Sequence, residues 1–227
     1  MVKIGFYLLS ALMTGSVVLM FSKVSKATGQ ERQRSIRNFL TGISIWSVYI
    51  VALSTTGVLN DFGLPPRMPL LVVIPAFVII FFSTSRAQMK KMIHSTPKSF
   101  PVYIQSFRVI VELLIYGAFM EGVFPKAVTF EGTNFDILAG ISAPVIAFLH
   151  HKNRLSDRGV FFWNILSLCI LTVTVVTFIT AFYFSTHTPD IAFCKFFELP
   201  YILLPAMLLP YAVFYHVVSI RQLKRKK

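Results

Sequence analysis

Within an otherwise apolar run of this 227-residue chain, Gln105, Arg108 and Glu112 stand three and four positions apart. That spacing puts all three on one face of a helix. Arg108 is seven residues in from Pro101, which is ~10 Å of depth at the helical rise. A charge facing lipid costs about 2.5–3.5 kcal/mol on insertion scales, so Arg108 and Glu112 must point into a helix bundle or a wet cavity. They read either as part of a polar pathway or ligand counter-charge, or as an internal ion pair that fixes helix packing, with Arg108 partly snorkelling.

Asn134 and Asp136 open the next apolar run. Their plainest role is to cap that helix by accepting its free N–H groups. Downstream, Ala139, Ala143 and Ala147, with Gly140 and Pro144 adjoining, let a neighbouring helix approach closely. His187, Asp190, Cys194 and Glu198 follow at intervals of three, four and four. On a continuous helix they would form a face of mixed metal-ligand character, but Pro189 interrupts it. Glu198 alone, beside Pro200, is the better candidate acid of that group. His216 could titrate in the physiological range, or serve only as a polar anchor, as His150 and His151 do. Asn164, Thr172, Thr174 and Thr177 read as interhelical hydrogen-bond partners. The site expected from sequence is therefore Gln105, Arg108, Glu112, Asn134, Asp136 and Glu198, with His216 and Asn164 as secondary members. The chain has no glycine-rich phosphate loop, H-E-x-x-H, G-x-S-x-G or paired C-x-x-C. Neither catalytic residues nor a metal or cofactor are expected.

These residues are positioned by apolar helices. Hydrophobic residues make up 55% of the chain and charged ones 14%, against roughly 25% charged in a soluble domain. Mean hydropathy is +0.69. Apolar runs near 4–22, 39–58, 69–85, 101–121, 135–150, 160–184 and 196–219 match the ~20 residues that a helix needs to cross a bilayer. They predict an all-α bundle of seven transmembrane helices forming a single domain over 1–227. Seventeen of the 22 Lys and Arg residues fall in alternate connections, the 23–38, 86–100 and 151–159 loops and the C-terminal tail. This bias puts the N-terminus outside and the C-terminus in the cytoplasm, in a multi-pass plasma (inner) membrane protein. The net charge of +13 then points to anionic lipid headgroups on the cytoplasmic side and away from nucleic acid. A single Lys before the first run and five cations after it reverse the charge order of a cleaved signal. Cys169 and Cys194 lie too far apart in depth to pair.

A shift of 135 residues places Pro75 on Pro210, Arg86 on Arg221, and Lys90 and Lys91 on basic residues. Proline-broken spans at corresponding places in two halves point to a binding site in transporters, although membrane helices also tolerate prolines without duplication. The first and fifth runs, and the second and sixth, show no match.

Three stretches resemble a family of uncharacterised small bacterial polytopic membrane proteins. They are Gln105-x-Phe107-Arg108-x-x-x-Glu112, then Glu131-Gly132-x-Asn134-Phe135-Asp136 with Gly140-x-x-Ala143-Pro144, and Leu199-Pro200 through His216 to Ser219-x-Arg221-Gln222-Leu223. The resemblance covers roughly 68–223 and implies a bacterial inner-membrane location, with no activity or ligand attached. The three-one-three division is also similar to that of small sugar uniporters, whose proline-glutamine dipeptide is missing here. The sequence thus supports a small transporter or permease-like protein taking a small-molecule or ion substrate. The alternative is a non-transporting sensor or assembly module, and either is compatible with a homo-oligomer.

Overall fold

The computed structural model describes residues 1–23, 28–184 and 195–224, and these contain helices and no strand. α1 spans Val2–Ser22 and α2 Gly29–Thr55. α2 starts ten residues before its apolar run because Thr28 and Glu31 form a reciprocal capping box. Arg32, Arg34 and Arg37, expected in a loop, therefore stand on its first turns. α3 (Ile74–Ser85) is followed, after a bend of 78°, by α4 (Ala87–Ser95), where a connection was expected. α4 keeps Lys90 and Lys91 outward of its buried pair Met92 and Ile93. α5 (Phe100–Ile104) and α6 (Phe107–Met120) make one span with a turn at Gln105–Ser106. α7 (Asp136–His151), α8 (Asp157–Tyr183) and α9 (Leu209–Leu223) complete the chain. Among the described residues, five helices are long and apolar enough to cross a membrane, or six if the bent α3–α4 pair counts as one, and α7 is a shorter apolar helix. That is compatible with a membrane protein.

π-helical turns at Pro69–Val73 and Leu204–Leu208 run directly into α3 and α9. The two turns lie 135 residues apart and touch each other, and α3 packs along α9 in the same direction. Proline at the second position of each helix, Pro75 and Pro210, cannot supply the N–H that would reach back four residues. The carbonyls it would have met are those of Leu71 and Ala206. Both receive side-chain donors from α2: Tyr49 Oη gives its proton to Leu71 O at 2.8 Å, and Trp46 Nε1 to Ala206 O at 2.9 Å. The two rings lie against each other at 5.4 Å.

α9 is the hub, packed by α8, α5, α3 and α4. Its last turn caps two other helices, whose terminal carbonyls have no partners of their own. Arg221 Nη1 donates to Thr84 O of α3 at 2.6 Å, and Gln222 Nε2 to Ile93 O of α4 and to Thr96 O at 2.6 and 2.8 Å. α2 is the opposite case, with Ile50 its one buried residue. Where α7 meets α6, a Cβ on Gly140 would come within 2.8 Å of Val109 N, so glycine is required for that approach. Ala139, Ala143 and Ala147 continue the buried stripe.

Candidate functional site

The buried charges gather where α6, α7, α8 and α9 meet. α6 presents Arg108 and Glu112 one turn apart, both fully buried. They are not bonded to each other. Arginine followed by glutamate four residues later is the weaker helical order, whereas the planar guanidinium matches both oxygens of a carboxylate at once. That carboxylate is Asp136 of α7: Arg108 Nε donates to Oδ2 at 2.7 Å and Nη2 to Oδ1. Asp136 therefore does not cap α7. Its own backbone N–H is accepted by Asn134 Oδ1 at 3.0 Å, so Asn134 alone does the local capping.

Two branches leave this pair. On one, Arg108 Nη1 donates to His216 Nε2 of α9 at 3.2 Å. An arginine can only donate, which assigns the imidazole proton to Nδ1, donated to Asn164 Oδ1 of α8 at 2.8 Å. Asn164 Nδ2 goes on to Ser219 Oγ at 2.9 Å and Val160 O at 2.8 Å. The indole of Trp163 lies 5.7 Å from the His216 ring. On the other branch, Asn134 Nδ2 donates to both oxygens of Glu112, at 2.9 and 2.8 Å, and to Val128 O at 3.0 Å, while Thr174 Oγ1 of α8 donates to Asn134 Oδ1 at 2.8 Å. Glu112 thus has an amide for a partner, and no ion pair to it exists among the described residues.

Arg108, Glu112, Asp136 and Thr174 share the wall of one cavity of about 60 Å³, room for about four to six waters at roughly 10–15 Å³ each. Its remaining lining is apolar and includes the two π-turns, with Pro69 and Pro205, and the rings of Phe107, Phe178 and Phe196. Those of Phe178 and Phe196 belong to a buried aromatic cluster, with Phe196 at 5.2 Å from Phe124 and 4.7 Å from Phe182.

Of the residues expected from sequence, Arg108, Glu112, Asn134, Asp136, His216 and Asn164 fall in one hydrogen-bonded network. Gln105 does not line the cavity: it sits at the α5–α6 turn, one helix end away, where its Nε2 donates to Ala212 O at 2.9 Å and its buried Oε1 has no partner. Glu198 is exposed and stands outside the cavity wall, because the apolar side chains of Phe196 and Phe197 take the inward positions of that segment. His187, Asp190 and Cys194 lie outside the described residues, and no group of three or more metal-capable side chains occurs among those described. Ser219, named in the sequence only within a family-like stretch and not as a site member, lies one turn beyond His216 on the same face of α9.

No curated protein and no solved structure matches the chain. The model of the family described as a domain of unknown function (DUF8737) matches residues 65–224, which include every member of the buried network, and the chain belongs to that family.

Proposed function

We propose that this chain is a small transporter or permease-like protein of the bacterial inner membrane, working through the polar cluster at the centre of its bundle. The observation that carries the reading is the shared wall of Arg108, Glu112 and Asp136 on a cavity inside the bundle. Ionisable groups at membrane depth are expensive and mark pathways for ions or substrates. Two proline-broken segments flank the same cavity, an arrangement that in transporters surrounds the substrate. Five long apolar helices, the bent α3–α4 pair and the shorter α7 support seven crossings. The charge bias of the connections supports an outer N-terminus and a cytoplasmic C-terminus facing anionic headgroups. Cysteines placed at 126 and 225 should label from opposite sides; labelling from one side overturns that layout.

The transport reading is tested by screening metabolites and ions for thermal shifts of the purified protein, since a ligand of the folded state raises its apparent stability. A ligand found in this way should accumulate in proteoliposomes, and Glu112→Gln should fold but lose that uptake. Accumulation by Glu112→Gln at the wild-type rate overturns the role of the site. A ligand that shifts melting without crossing the bilayer favours the second reading, a sensor or assembly module. The long uncovered face of α2, with Ile45 and Val48 outward, supports that alternative.

A further inference from the structure

Glu112 differs from the rest of the network in its electrostatics. The guanidinium of Arg108 is taken up by both oxygens of Asp136, so that pair is neutral by itself. Glu112 adds a second carboxyl with an amide donor and no counter-cation among the described residues. The charged or titratable groups facing it are few. Arg108 stands on its own helix, Asp136 comes from α7, and beyond them lies His216 of α9. α8 offers the neutral Thr174, and α1 meets α6 through Gly5 and Val2. A carboxyl buried in this way is neutral when it carries a proton, or is balanced when a ligand cation sits beside it.

The walls decide what kind of cation fits. An inorganic cation needs about six oxygen ligands, and the cavity presents the Glu112 carboxyl, the Thr174 hydroxyl and the Asp136 carboxylate, whose two oxygens are already held by Arg108. An anion would need a free guanidinium, and Arg108 is already engaged. A sugar would need many hydrogen-bonding groups, and most of the lining is hydrocarbon. By contrast, Phe107, Phe178 and Phe196 line the cavity, and aromatic rings attract alkyl- or arylammonium groups once water is excluded.

We infer that the cavity binds a hydrophobic organic cation at Glu112 in exchange for a proton. The cation's charge pairs with the carboxylate, its apolar groups lie against the three phenylalanines, and the proton from the Glu112 carboxyl leaves to water, one for each cation bound. This inference rests on the transport reading for its place in the membrane, but binding alone can test it.

The probe is benzyltrimethylammonium, a permanent cation that has no proton to give, titrated into the full-length protein in nanodiscs in weak buffer with a pH indicator. We expect saturable binding with close to one proton released per cation, and an apparent affinity that rises up to about tenfold per pH unit while the carboxyl is protonated. Benzyl alcohol and phenylacetate should not compete. Glu112→Gln should lose both binding and proton release, and Phe178→Leu, which keeps an apolar wall, should weaken binding several-fold. The inference is overturned by no saturable signal from the wild type, by binding without proton release, or by preference for the alcohol or the carboxylate. If the cation binds with release of the Glu112 proton yet never enters proteoliposomes, this inference stands and transport falls. If another compound is transported while the cation fails to bind, the reverse holds.

Discussion

Pro69–Val73 leading into α3 and Leu204–Leu208 leading into α9 follow one backbone plan, yet Phe81 is 64% exposed while His216, 135 residues later, is completely buried. The neighbours account for the difference. α9 is enclosed by α8, α5, α3 and α4, whereas α3 turns Phe81 and Phe82 outward. The common part is what the backbone itself demands: a proline, a freed carbonyl and a donor from α2. The side chains answer to their surroundings, an exposed face on one segment and a polar cluster on the other. Besides the basic residues that follow both segments, Thr84 and Ser219 keep a shared character, since both are buried hydroxyls. A break in a helix can therefore recur without its chemistry recurring.

Substitutions can break this comparison or sharpen it. The largest effect is expected from His216→Phe, which gives α9 the residue of α3. Arg108 Nη1 and Asn164 Oδ1 would lose their partner, at a cost of about 2–4 kcal/mol. For a chain of this size that corresponds to a fall in apparent melting temperature in detergent of roughly 5–15 °C. The reciprocal Phe81→His should cost clearly less, and equal effects would end the distinction between the two segments. Next comes Trp46→Phe, which leaves the buried Ala206 carbonyl without its indole donor and should destabilise by about 1–2 kcal/mol in the same melts. The smallest is Tyr49→Phe, below about 1 kcal/mol, because this hydroxyl and its bond to Leu71 O lie on the exposed side of α2. If the last two exchange order, the α2 donors matter more to Pro69–Val73 than to Leu204–Leu208.

The positions of the apolar helices were legible in the sequence because each is a long run of hydrocarbon. Helix ends were less so. The start of α2 depends on two side chains, Thr28 and Glu31, set in a charged stretch that hydropathy reads as loop. α4 was hidden for a similar reason, with Lys90 and Lys91 masking its buried Met92 and Ile93. Within the site, depth and composition picked out Arg108 and Glu112. The partner of Arg108 could not be read, because it depends on how α7 is rotated against α6, and the close approach at Gly140 sets that rotation. Asn134 and Asp136 looked alike as helix caps, and only their positions around the first turn of α7 send one to the backbone and the other across the bundle. The spacing of Pro75 and Pro210 was visible, but nothing local marked an indole 160 residues from the carbonyl it serves.

The side chains of Arg221 and Gln222 hold the ends of both arms of the α3–α4 elbow. α9 cannot twist about its own axis without pulling out at least one of these pegs. Any torque that reached His216 from the cavity would therefore be delivered, about one and a half turns further along, to both sides of the joint at Arg86.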